Sequence, residues 1–478
     1  MYLHRHSDSL SMRDTKTSTK RHLADVPAGL VTGHRFLLGD QTSAPTAGAR
    51  RSACCLAAWF TVSPMIETTH VPKQSHLRAV AAEQGTPLYA YDIDMVRERA
   101  QRLTEVISWP RKQLLYAIKA NPCPAIARTM FDLGFGCDCV APGEVALAKA
   151  LGLPTEKILL TENNLSNEEM TAALADDVLI CAGSLDRLQS MAQAGAKRAA
   201  VRFNPDVGAS EHAHTLTAGP LTKFGVHHSE VKDVVAIERA TGLKVVGCHM
   251  HIGSGSLDAS AFVEAMQVIL SVAQELPHLE FIDFGGGLGV PYKPEQEPVD
   301  IAAIGAELSN VMSDFCQAYG RELELRLEPG RWLSAECGSL VTMVTAVKTT
   351  PEGRIFIGCD SGFNHLIRPM MYGSYHGIRN LSSPDAPPTT VDVVGNICES
   401  GDIFARDRVL PLPKVGDVLS IDTAGAYGMS MGSTYNLRPL PAEVALWETD
   451  GQLHTSLERP RLSIEALLQQ WTTISGDR

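Results

Sequence analysis

The stretch "LLYAIKANPCPAIARTM", residues 114–130, sets the fold. It runs from an apolar strand (114–118) into Lys119, a turn, and a helical pattern. A lysine at such a point is either a solvated surface residue or a nucleophile at the mouth of a cleft. The same strand-then-helix rhythm recurs downstream. Further candidate strands are "CDCVA" (137–141), "KILLT" (157–161), "VLICA" (178–182), "AAVRF" (199–203), "KVVGCHM" (244–250), "EFIDF" (280–284) and "ELRLE" (324–328). Between them lie helix-like segments such as "GEVALAKALG", "NEEMTAALA", "SLDRLQSMAQAG" and "IAAIGAELSNVMSDFCQAYG", several opened by Ser or Asn and closed by Gly. Strands that alternate with helices make βαβ units and a parallel sheet. Eight of them within about 220 residues point to a closed (β/α)8 barrel of the TIM type. A doubly wound open sheet is the alternative topology.

The texture changes after residue 335. "SLVTMVTAVKTT", "RIFIGCD", "TTVDVVGNIC", "DVLSIDTAG" and "AEVALWETDG" read as strands separated by turn signals. "TPLYAYD" (86–92) is an earlier strand that can join them. The expected organisation is a barrel over 95–340 and a β-barrel or β-sandwich domain built from 66–94 plus 341–478. The first 65 residues, rich in Ser, Thr, Arg and His, read as a disordered extension outside both. "ARRSACCLAAWF" lies too deep for an ordinary export signal. A transit peptide, or a start assigned upstream of Met65, are the other readings of this segment.

Composition narrows the function. The chain has 478 residues, 44% hydrophobic and 20% charged, with a formal net charge of −12. That charge argues against an electrostatic nucleic-acid binder. No apolar run reaches the roughly 18 residues of a membrane span. The eleven cysteines lack paired zinc-type spacing and read as reduced, mostly buried thiols of a cytoplasmic protein, with no metal site implied.

Barrel enzymes carry their sites at the carboxyl ends of the strands. Lys119 follows the first strand, Asp138 lies in the second, and His251 of "HMHIGSG" follows the sixth. Gly285, Gly286 and Gly287 follow the seventh, and Glu328 of "EPGRW" closes the eighth. Singly, each has an ordinary structural explanation; together they share one rim. A glycine triplet admits a phosphate to the backbone, and barrels bind phosphate after strands seven and eight. A lysine there can form a Schiff base with an aldehyde. A carboxylate can hold a pyridine nitrogen protonated, and an imidazole can lie against the ring. Those features describe pyridoxal 5'-phosphate. "GGGLG" comes too late, and without the later acidic residue, for dinucleotide binding.

The motifs "YAIKAN", "HIGSG", "FGGGLG", "EPGR", "IRPMMYGSYH", "CESGD" and "GAYG", in this order across residues 80–445, resemble the fold-type III pyridoxal-phosphate decarboxylases that act on ornithine, arginine and diaminopimelate. The resemblance is nearest to the diaminopimelate branch. It implies Lys119 as the Schiff-base lysine, Asp138 and Arg202 as supports of cofactor and lysine, and His251 stacked on the ring. It implies Ser254, the three glycines and Tyr427 near the phosphate, with Glu328 at the pyridine nitrogen. Arg331, Arg368 and Tyr372 would take the distal carboxylate of meso-diaminopimelate, since a guanidinium fork matches both oxygens. Glu399 would read the distal amine, and Cys398 would donate a proton at the α-carbon. The "CESGD" loop would reach a neighbouring subunit's site, which implies a homodimer. The implied reaction yields L-lysine and carbon dioxide, the last step of lysine biosynthesis. A lysine among apolar and cationic neighbours is expected to have a lowered pKa.

Two stretches depart from the family's spelling: His365 stands where an acidic residue is usual, and the segment near Tyr435 and Asn436 differs. Both are expected on the substrate rim, which leaves room for another carboxylated amine as substrate, such as a siderophore or polyamine precursor. A catalytically silent regulatory relative and an amino-acid racemase are further readings. Intact Lys119, Glu328 and Cys398 speak against the first, and the paired arginines with "CESGD" against the second.

Overall fold

The computed structural model describes residues 71–470 apart from positions 209, 211, 213, 214, 258 and 259. The amino-terminal extension, with Cys54, Cys55 and Met65, lies outside the described residues.

Eight strands form a closed parallel barrel: Lys112–Ala117, Gly136–Cys139, Ile158–Thr161, Leu179–Ala182, Arg198–Asn204, Lys244–His249, Phe281–Asp283 and Glu324–Leu327. Each pairs in parallel with the next, and the eighth returns to the first through Leu325–Lys112, Arg326–Gln113 and Leu327–Leu114. This closure excludes the open doubly wound sheet. All eight expected strands are present. Helices such as Pro124–Asp132, Asn167–Ala175, Val231–Thr241 and Ile301–Tyr319 follow them. Ser166 caps one in a reciprocal capping box with Glu169, and Gly242 and Gly320, in the left-handed region, end two others.

Strand alternation builds the barrel interior in layers. Leu115, Leu159, Cys181, Ala200, Val246 and Phe281 form one buried apolar cluster from six strands. Two residues on along their strands, Thr161, Arg202 and Asp283 belong to a polar layer at the carboxyl end, joined there by Asp138, His249 and Glu328. Gly247 makes room for the plug: a Cβ there would lie 2.1 Å from the Phe281 ring. Gly247→Val is therefore expected to destabilise the protein by about 1–3 kcal/mol through overpacking. The check is a lower urea midpoint at unchanged slope.

The second unit is a nine-stranded mixed sheet. Its long strand Gly338–Thr349 pairs antiparallel with Leu88–Asp92, Ile355–Cys359 and Val418–Ile421. Leu88–Asp92 runs parallel to Ala442–Thr449, so a strand preceding the barrel does join the sheet that follows it. The sequence reading missed strands Ile378–Asn380, Ile403–Pro411 and Gln452–Arg459, and it missed the helix Gln74–Gln84. That helix packs Leu77, Val80 and Ala81 against Leu88, Val341 and Val444 of the sheet. The i, i+3, i+4 spacing of those three residues was the available signal.

Candidate active site

The first barrel strand ends at Ala117 and tightens into a 3-10 turn, Ile118–Ala120, which presents Lys119. The turn is clamped on both sides. The Tyr116 hydroxyl donates to the Asn121 carbonyl at 2.8 Å. The Asn121 side-chain amide donates to the Gly425 carbonyl at 2.7 Å, and its oxygen accepts from the Cys123 N–H at 2.9 Å. The Tyr427 N–H donates to the Ala120 carbonyl at 2.8 Å. The "GAYG" loop of the second unit thus holds the lysine turn from above.

Lys119 Nζ pairs with Asp138, whose other oxygen accepts from the Thr161 hydroxyl. This corrects the expectation of a depressed lysine. Burial pushes the ammonium down, but the Asp138 carboxylate, with Glu328 behind it, outweighs burial and holds the pKa well above its ordinary value. The neighbours of Lys119 are anionic rather than cationic.

His251 and the glycine triplet form one interlocked piece. The Gly286 N–H donates to His251 Nδ1 at 3.0 Å, which leaves the ring proton on Nε2. Burial first, then Arg202 and Lys119, push this imidazole well below its ordinary pKa, so it is neutral. A Cβ on Gly285 would lie 2.2 Å from the Met250 carbonyl oxygen, and one on Gly286 2.2 Å from that of Glu328. Only glycine allows the two loops to meet backbone to backbone. Gly285 and Gly287 also have φ of 68° and 110°, in the left-handed region. Arg202 Nη2 donates to the His251 carbonyl at 3.2 Å, and its guanidinium lies over Phe224.

Glu328 is buried at the base of the site. Its Oε2 is 3.1 Å from His249 Nε2, while Oε1 is buried without a hydrogen-bond partner. Burial first, then the Asp138 carboxylate, push its pKa up to about 8. An orphaned carboxylate oxygen of this kind needs a donor, and the protonated nitrogen of a pyridine ring is one that fits.

The far wall carries two buried arginines. Arg331 donates to the Ser254 hydroxyl at 3.0 and 3.1 Å and to the Tyr292 hydroxyl at 2.7 Å. Arg368 donates to the Ser374 hydroxyl at 3.1 Å and lies 5.0 Å from the Tyr292 ring centre. Tyr292 stands between the two cations, and Tyr427 lies beneath Arg331 at 4.9 Å. A cavity of about 380 Å³ joins Lys119, Arg202, His251, Ser254, Glu328, Arg331, Arg368, Tyr372 and Tyr427. Asp138 sits behind Lys119, and the glycines behind His251.

Cys398 and Glu399 are exposed and do not line this chain's cavity. His365 is corrected: it is 2% exposed and bonded to Ser361 and the Pro439 carbonyl, a packing residue away from the substrate rim. Asn436 accepts from the Cys398 N–H at 2.9 Å, and Tyr435 stacks on Phe363. Sequence reasoning missed Thr161, His249, Asp283 and Tyr292. The signal for His249 was its place at the end of the sixth strand, two residues before His251. Thr161, Asp283 and Tyr292 had none, because a buried polar residue inside an apolar strand or loop announces no partner.

Comparison with known proteins agrees with this geometry. Residues 93–335 match the family model for the pyridoxal-binding domain of pyridoxal-dependent decarboxylases. The diaminopimelate decarboxylase of Methanothermobacter thermautotrophicus is 43% identical over 396 residues, which is 80% of this chain and 91% of that one. The Aquifex aeolicus diaminopimelate decarboxylase is 35% identical, covering 77% and 88%. The crystal structure of Helicobacter pylori diaminopimelate decarboxylase complexed with L-lysine superposes with a TM-score of 0.76 at 30% identity, over 83% of this chain and all of that one.

Proposed function

From the premise that this chain belongs to the pyridoxal-dependent decarboxylases, on their diaminopimelate branch, we propose that it converts meso-2,6-diaminopimelate to L-lysine and carbon dioxide, the last step of lysine biosynthesis. The observation that carries this reading is the pair of buried guanidiniums, Arg331 and Arg368, on the wall of the cavity that also holds Lys119. Their planar donor forks match the two oxygens of a carboxylate, and the distal carboxylate of the substrate is the group they would take. A site for ornithine or arginine would need an acidic group there instead.

Pyridoxal phosphate, when bound, supplies an electron-withdrawing ring that takes up the electron pair left by the departing carboxylate. This chain's residues do the rest. Lys119 brings an amine to the cavity, with Asp138 able to hold its proton at Nζ. Glu328 Oε1 holds the proton of the ring nitrogen. His251, neutral, presents a flat apolar face without adding charge. The Gly285–Gly287 segment and the Ser254 loop shape the phosphate end, with Tyr427 beside them. Arg331, Arg368 and Tyr372 orient the substrate by its far end, so that the α-carboxylate lies away from the guanidiniums. The test is carbon dioxide release from meso-diaminopimelate, ornithine, arginine and lysine. Release from diaminopimelate alone is expected, and turnover of a diamine-forming substrate instead would refute the assignment.

The protein acts as a homodimer in which Cys398 and Glu399 of the partner subunit complete each cavity. Their exposure supports this, as do the neighbouring exposed apolar residues Met370, Met371, Tyr435 and Leu437. In such a site Glu399 reads the distal amine and Cys398 delivers the proton to the α-carbon. Mixing and refolding inactive Lys119→Ala chains with inactive Cys398→Ala chains is expected to restore about a quarter of wild-type activity, since half the dimers then carry one intact site. No recovery in mixtures shown to exchange subunits would exclude composite sites. We place the protein in the cytoplasm: the nine cysteines among the described residues are all unpaired, eight of them buried, as in a reducing compartment. None of the described helices is long and apolar enough to cross a membrane.

A further inference from the structure

Beneath the cavity, three ionisable side chains meet at the ends of three neighbouring strands: His249 and Asp283 close theirs, and Glu328 follows the third. All are buried, with one polar atom of each lying within 4.8 Å of the others. His249 and Asp283 are direct partners across their strand pair. His249 Nε2 lies 3.1 Å from Glu328 Oε2. Asp283 Oδ1 accepts the Gly285 N–H at 2.8 Å. None of these contacts is needed to close the barrel, which the backbone ladder already does.

The arrangement poses an electrostatic problem. Glu328 must be a carboxylate to hold a proton on a ring nitrogen, yet it is dry and shares its surroundings with the carboxyls of Asp138 and Asp283. Lys119, Arg202 and Arg326 are the cations that oppose this. Burial and the Glu328 charge likewise push Asp283 up to about 8. Burial pushes His249 down to about 4, so its imidazole is neutral; with Glu328 as a carboxylate, the 3.1 Å contact is a hydrogen bond when the ring proton sits on Nε2. A neutral N–H donor stabilises a carboxylate without placing another charge beside the substrate.

We propose that His249 is a positioning residue for the cofactor: its Nε2–H bond to Glu328 Oε2 keeps that side chain a carboxylate and turns the free oxygen, Oε1, toward the ring nitrogen. The inference rests on the pyridoxal-phosphate reading above. It is tested on the apo full-length chain by titrating cofactor and following the visible absorbance of the complex. His249→Leu is expected to weaken pyridoxal-phosphate binding about 10- to 100-fold, the range for losing a hydrogen bond to a charged group. His249→Gln, which retains an N–H donor, is expected to recover most of the loss. An analogue with carbon in place of the ring nitrogen separates positioning from packing: wild type and His249→Leu are expected to bind it equally. Equal weakening toward both compounds, or wild-type affinity in His249→Leu, would overturn the proposal. Failure of the wild-type chain to take up pyridoxal phosphate would instead count against the functional reading itself.

Discussion

Lys119→Ala is expected to cut turnover by at least about 10⁴-fold while leaving the fold intact, the scale on which loss of a nucleophile or proton-transfer group is felt. The side chain projects from a short 3-10 turn after the first strand, and that turn is held by Tyr116, Asn121 and Tyr427 rather than by the lysine itself. Removing the ammonium leaves Asp138 with its Thr161 hydrogen bond, so one partner of the buried carboxylate survives. Borohydride reduction provides the check. In the wild type it is expected to fix the cofactor to the peptide that contains Lys119, seen as an added mass, and in Lys119→Ala to fix none. A variant that retains both the bound colour and the turnover would remove this lysine from the mechanism. Lys119→Arg is expected to be equally inactive, although it keeps the positive charge beside Asp138, because a guanidinium is not a nucleophilic amine.

Arg368→Ala is expected to lower kcat/KM for meso-diaminopimelate by about 10²- to 10³-fold, the effect of truncating one partner of a buried charged hydrogen bond. Arg368 is 1% exposed and shares the Tyr292 ring with Arg331. Its guanidinium is therefore preorganised, and little rotamer entropy is lost when a carboxylate docks. Arg368→Lys is expected to rescue poorly, since an ammonium cannot present the planar fork. The discriminating measurement is the ratio of rates on meso-diaminopimelate and on a substrate without a distal carboxylate. The variant is expected to lose most of the wild type's preference. An unchanged ratio would take Arg368 out of the specificity pocket.

Much of this protein was legible in one dimension, for local reasons. Apolar β-branched runs such as "KILLT" and "KVVGCHM" reveal buried parallel strands because both faces are covered. Lys119, His251, Gly285–Gly287 and Glu328 were legible as one site because each directly follows a strand, and parallel closure puts all such positions on one rim. The glycine triplet was legible because no other residue tolerates the approach of the Met250 and Glu328 carbonyls. Harder to read were segments whose partners lie far along the chain. The strand Gln452–Arg459 is only partly buried and carries no clean alternation, and helix Gln74–Gln84 owes its place to a sheet whose strands are scattered from Leu88 to Leu446. His365 misled in part for the same reason: besides nearby Ser361 it bonds the distant Pro439 carbonyl, which makes it a core residue although Arg368 and Tyr372, close in sequence, line the site.

The sequence by itself determined the alternation of strand and helix, the strand-end placement of the reactive groups, and the glycines without which the two loops cannot meet. Only the tertiary structure decided which charges surround which groups. Lys119 faces Asp138 and Glu328, Glu328 leans on His249, and Tyr292 separates two arginines. Each of these pairings joins residues from different strands or loops, and a Coulomb interaction or hydrogen bond depends on distance in space, which the order of residues along the chain does not state.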